Sequence, residues 1–141
     1  MAYTAYWYGK GIENIFNGTI DIDSDTLNCA LLDSGYTPAQ DTDEDFSVID
    51  ADEVSGDGYV AGGAELTGVS LTYTAGTNIL NIDADDVSWA DSTITARYAV
   101  IYSSTADKVI CYINFGEDKS STSNLFRIEF NSGGIAKVTL S

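Results

Sequence analysis

Residues 53–66, EVSGDGYVAGGAEL, set four glycines, Gly56, Gly58, Gly62 and Gly63, around one aromatic, Tyr59. Glycines at such spacing can wrap a phosphate. A phosphate-binding loop of the Gly-x4-Gly-Lys-Ser/Thr kind needs a lysine, and none follows here. Glu53, Asp57 and Glu65 would repel a phosphate instead. A dinucleotide fingerprint needs Gly-x-Gly-x-x-Gly between a strand and a helix. Gly56 and Gly58 supply the first pair, but the third glycine is misplaced and no helical pattern follows. What remains is geometry. Glycines permit positive φ and close backbone approach, so the stretch reads as two tight turns flanking Tyr59, a shaped surface loop lying against backbone of its own domain or of a neighbour.

Carboxylates are the other abundant chemical group. They cluster at Asp21/Asp23/Asp25, at Asp41/Asp43/Glu44/Asp45 and at Asp83/Asp85/Asp86. A calcium loop of the helix-loop-helix type beginning at Asp21 would need glycine at 26 and glutamate at 32. The chain has Thr26 and Leu32 there. Other Ca²⁺ geometries stay open, and solvated turn carboxylates are the simpler expectation. Catalysis has little to stand on. There is no histidine, the commonest general base. A carboxylate pair would serve glycoside hydrolysis, but 22 acidic residues produce pairs by chance. Cys29 and Cys111 lie in apolar, strand-like stretches (LNCALL, VICYI) and read as buried free thiols. The expectation is no enzyme and no cofactor. Arg97 interrupts TITARYAVIY, opposite in facing to Tyr98, and reads as one half of an ion pair, across the sheet or across a subunit interface.

The elements that must carry these residues are mostly strands. Nine tyrosines and a single proline fit a β-rich chain. One short helix is expected near the start, with Ile12, Ile15 and Phe16 at i, i+3, i+4 packing on a sheet and Gly18 as its stop. A strand is expected at 26–32. Residues 33–65 form a long loop excursion, expected to hold short strands or helical turns pinned by Tyr36, Phe46, Val48, Ile49, Val54 and Tyr59. From Leu66 onward the pattern predicts strands at 67–73, 79–84, 87–89, 93–102, 109–115, 125–130 and 136–140, separated by turn residues. Ile94, Ala96, Tyr98, Val100 and Tyr102 alternate on one face, answered by Val109, Cys111, Ile113 and Phe115. The fold class is mostly β: an antiparallel β-sandwich or jelly-roll-like single domain over residues 1–141, with a short N-terminal helix.

Net charge is −16, unevenly spread. All but four of the acidic residues precede Arg97, and all but one of the basic ones lie at or beyond it. Such a surface repels nucleic acid and anionic membranes. The opening MAYTAYWYGKG lacks the basic-then-apolar pattern of a secretion signal, so a protein made and kept in a cytoplasm is expected.

Four blocks, DIDSDTLNCALLDSGYTPAQDTDEDF, EVSGDGYVAGGAEL, DADDVSWADSTITARYAVIY and INFGEDKSS, resemble a family of small proteins from the structural-gene clusters of tailed bacteriophages and prophages. The resemblance spans roughly residues 8–140. It implies a virion structural protein, first of all a capsid decoration (cement) protein on the head exterior. Its partners would be phage structural proteins and further copies of itself, most simply as trimers. A neck, tail or fibre component is the alternative station. A host-surface glycan-binding module is the alternative of another class, using exposed aromatics such as Trp89, although Trp89 is expected in the core. Residues 1–8 are read as a candidate anchoring arm, with Tyr3, Tyr6, Trp7 and Tyr8 as interface aromatics. Gly56, Gly58, Tyr59, Gly62, Gly63 and Arg97 complete the candidate interface set.

Overall fold

The computed structural model describes residues 2–140. In chain order it runs β1 (Ala2–Tyr3), β2 (Tyr6–Trp7), α1 (Gly9–Phe16), β3 (Leu27–Leu32), α2 (Phe46–Ile49), β4 (Ala64–Glu65), β5 (Ser70–Thr74), β6 (Ile79–Asp83), β7 (Val87–Ser103), β8 (Lys108–Phe130) and β9 (Ala136–Thr139). A 3-10 turn over Asp50–Asp52 follows α2. The larger sheet has the order β1-β8-β7-β3-β4, with β2 also paired to β8; the smaller has the order β5-β6-β9. Pairing is antiparallel except between the two-residue β1 and β8. The chain is thus mostly β with a short N-terminal helix, as its pattern predicts.

Two expected turns are not turns. The residues between Trp89 and Thr93, and the run GEDKSSTS, lie inside β7 and β8. Asp91, Gly116 and Ser123 take positive φ there, and the ladder shifts register beside them. Bulges use the same residue types as turns, because both need left-handed or unpaired backbone, but the strand resumes after a bulge. Each odd shift also flips the facing of the residues beyond it. The expected single face from Ile94 to Tyr102 therefore splits at Arg97. Ile94 and Ala96 join Ala99 and Ile101 in one core, while Tyr98, Val100 and Tyr102 belong to the other. Val109 likewise faces away from Cys111, Ile113 and Phe115, because the register slips between Ile101 and Tyr102.

The first core fills the space between the two sheets, with Leu31, Ile101, Ile113 and Ile128 meeting Ile82 and Ile135. The second lies on the opposite face of the larger sheet and is closed by the excursion. There Phe46 stacks on Tyr102 at 3.9 Å between ring centroids. Tyr36, Phe46, Ile49 and Val54 are buried, as expected of pins. Val48 is not, at 73% exposure. A single helical turn turns Phe46 and Ile49 inward at i, i+3, which sends Val48 outward.

Candidate functional site

Helix α1 packs in an unexpected orientation. Its buried residues are Gly11 and Asn14, not the isoleucine stripe. A Cβ on Gly11 would lie 2.7 Å from the Ile110 carbonyl oxygen and 2.8 Å from that of Val109, so the helix backbone rests almost directly on β8. The Asn14 amide donates to Glu44. The stripe of Ile12, Ile15 and Phe16 is centred roughly a quarter turn round the helix from Gly11. Ile12 and Ile15 are half-buried, Ile15 packing against the first core as expected of the stripe, while Phe16 is 82% exposed, which corrects the expectation for that residue alone.

What the stripe faces is an open cleft. One wall is Ile12, Ile15 and Phe16. The other is Leu71, Leu80, Val138 and Leu140, from β5, β6 and the end of the β9 segment, and Trp7 lies between them. The sheet wall follows from register. Leu71 and Leu80 point the same way as Ile82 and Ala136, since Leu71 pairs with Ile82, Leu80 with Val138 and Ile82 with Ala136. Ile82 and Ala136 are buried in the first core. The same face then runs past the edge of that core and ends uncovered. The Trp7 indole donates to the Lys137 carbonyl at 3.0 Å and ties β2 to β9. The cleft encloses about 180 Å³ and every lining side chain is apolar apart from that spent indole N–H.

The other predicted site residues go mostly to the fold. Residues 2–8 are not a free arm. β1 and β2 are paired to β8, and Tyr8 is fully buried. Its hydroxyl shares a 2.6 Å hydrogen bond with Tyr36, which donates to Asp43; burial first, then these partners, pushes the Tyr8 hydroxyl pKa far up. Tyr3 packs edge-on against Phe115. Tyr6 is exposed and lies beside Tyr112. Trp7 is the one member of the aromatic set that lines the cleft.

The glycine stretch is drawn onto the larger sheet. A Cβ on Gly56 would meet the Thr93 carbonyl oxygen at 2.2 Å, one on Gly58 the Ala90 oxygen at 2.9 Å, and one on Gly63 the Cys29 oxygen at 2.0 Å. The Gly62 carbonyl accepts from Tyr102. Tyr59 is the hub: its hydroxyl accepts the Leu31 N–H and donates to Glu53. Backbone meets backbone within this chain. Arg97 pairs with Asp118 across the hairpin at 3.1 Å, the intramolecular one of its two expected roles. Trp89 is buried against Phe126 and Tyr59, so it offers no exposed face to a sugar.

The acidic turn 21–25 satisfies itself. Asp21 accepts the Asp23 N–H, Asp25 accepts from the Asp21 N–H and the Ser103 hydroxyl, and hydrogen bonding, from Ser24 first, lowers the Asp21 pKa. Among the described residues no group of three or more His, Cys, Asp or Glu is placed to hold a metal ion. Cys29 and Cys111 are free and buried. Both stand in register with Ile101, on strands either side of it. Two strand spacings set them roughly 9–10 Å apart, beyond the reach of about 7 Å that a disulfide allows.

The sequence pattern does not mark Leu71, Leu80, Val138 and Leu140 as site residues, and it gives Ile12, Ile15 and Phe16 to the core. One signal was present. Gly11 in α1 marks a point fit for close backbone approach, and it is there that the helix meets β8. No family model, no curated protein and no solved structure matches this chain.

Proposed function

We propose that this protein is a structural subunit of a tailed-phage virion, in the first instance a decoration protein on the head exterior. The family resemblance of its four sequence blocks supports the virion, and the net charge of −16 suits a surface turned away from packaged DNA. The observation that carries the assembly role is the open apolar cleft between α1 and the smaller sheet. Small-molecule sites run from about 300 Å³ upward and place several polar groups to orient the ligand. This cleft has about 180 Å³ and an apolar lining. A cavity of about 150 Å³ accommodates one benzene ring. The occupant that fits is therefore one anchoring side chain of a protein, the arrangement of an interface hot spot.

The test is the copy number per purified virion, by quantitative mass spectrometry against the major capsid protein. Hundreds of copies are expected for a head decoration protein. A number on the order of a dozen or fewer moves the subunit to the neck, tail or fibre, and absence from the particle overturns the virion role.

A further inference from the structure

We propose that the occupant of the cleft is a second copy of this chain, and that the two copies are related by a two-fold axis which seats Phe16 of each in the cleft of the other. The proposal rests on the reading of the cleft as an assembly contact and adds the identity of the partner.

Two observations select this occupant. The first is charge. The elements that build the cleft, β2, α1, β5, β6 and β9, carry Lys10, Glu13, Asp83 and Lys137, two of each sign, in a chain of net charge −16. The whole run 66–82 has no charged residue. Copies of so acidic a protein repel one another over most of their surfaces. They meet without that penalty only on a neutral face, and interface centres are depleted of charge for the same reason. The second is shape. Phe16 projects at 82% exposure from the lip of a hole with room for about one ring. Knob and hole stand side by side on one patch. A two-fold contact uses one patch twice, so each knob meets the partner's hole. A ring of three would need knob and hole on separate surfaces, so this geometry replaces the trimer expectation with a dimer.

Eight residues line the cleft, against about 20–30 a side in a standard interface. The dimer is accordingly weak and concentration-dependent in solution, with a dissociation constant on the order of 10 μM to 1 mM.

Sedimentation velocity of the purified full chain tests this, from about 5 μM to 1 mM in about 0.3 M salt, where charge repulsion between copies is screened within a Debye length of under 10 Å. The expected result is a monomer–dimer equilibrium. Phe16→Ser and Leu140→Ser should each raise the dissociation constant about tenfold or more with the melting temperature unchanged, since both side chains are already mostly exposed. Val48→Ser removes an equally exposed apolar side chain on the far side of the larger sheet and should leave the equilibrium as it was. A monomer throughout the range, a trimer, or a dimer indifferent to Phe16→Ser overturns the proposal. The virion role is judged separately by copy number: a protein that dimerises through Phe16 but is absent from particles defeats that role and leaves the dimer standing.

Discussion

Replacing Gly63 by alanine sets a methyl carbon 2.0 Å from the Cys29 carbonyl oxygen, 2.6 Å from its carbon and 2.7 Å from the Ala30 Cα. Gly63 holds φ +81°, so alanine also enters a left-handed conformation that costs about 1–2 kcal/mol. The obstacle is backbone and cannot swing away. Cys29 and Ala30 are fully buried in β3, whose other side is in a six-residue ladder with β7. Forcing the two backbones apart adds about 1–3 kcal/mol by analogy with overpacked cores. The sum, about 2–5 kcal/mol, is a large part of the roughly 5–15 kcal/mol that holds a domain folded. At about 4 °C per kcal/mol for a chain of this size, the melting temperature should fall by about 8–20 °C. Two further alanines isolate the terms. Gly18 has φ +86° and nothing within 4 Å, so Gly18→Ala should show the conformational cost alone, about 1–2 kcal/mol. Gly76 has open space and no positive φ, so Gly76→Ala should be neutral or stabilise by up to about 1 kcal/mol. Thermal and urea unfolding with an unchanged m-value measure all three. If Gly63→Ala loses no more than Gly18→Ala, the glycine stretch does not lie on β3 and the account of it is wrong.

Tyr59→Phe removes the acceptor of the Leu31 N–H and the donor to Glu53; the orphaned groups should cost about 1–3 kcal/mol in urea unfolding, and a loss under about 0.5 kcal/mol would remove Tyr59 from its role as hub. Asp86 accepts the Phe130 N–H and then the Arg127 guanidinium, which together hold its carboxyl below the usual carboxylate range. A depressed folded-state pKa means stability present above the unfolded pKa and lost as pH falls through the folded one. Asp86→Asn should therefore flatten the acid limb of stability against pH below about pH 4, and an unaltered acid limb would deny the linkage. Burial pushes the Cys29 thiol up to about 12 and Cys111 higher still, so neither should react with a thiol reagent at pH 8 until the chain unfolds, when both should; rapid labelling of the native protein would contradict their placement.

Much of the fold was legible because burial imposes a period. β3 falls within a residue of its expected start, and each strand expected after Leu66 overlaps one of β5 to β9, four of them joined in pairs as β7 and β8. The GEDKSSTS run was not legible as strand, since turns and bulges draw on the same residues. What separates them is whether the ladder resumes on the far side, and that depends on residues in β7 more than 20 positions away. The glycine stretch was half legible. Its lack of a lysine and its carboxylates removed phosphate binding, but the surface it lies against is set by β3 and β7, not by its own sequence.

Helix α1 shows why the candidate site itself stayed hidden. Its stripe of Ile12, Ile15 and Phe16 has the correct period for a core-facing helix, and period alone records only that a face avoids water. Two faces competed for β8. The glycine face approaches the strand within van der Waals distance of its carbonyls, and Asn14 on that side is compensated by Glu44, thirty residues on. The isoleucine face could not approach so closely. Asn14 is buried and Phe16 is left at the surface, with Gly11 set on β8 and Glu44 accepting from Asn14, and Glu44 belongs to the excursion. The same excursion that closes the second core thus contacts the helix that walls the cleft, which ties the acidic 41–45 segment to the cleft by position. Glu44→Ala should then disturb Asn14 and the seating of α1, and sedimentation velocity should show the proposed self-association weakened although Glu44 does not line the cleft.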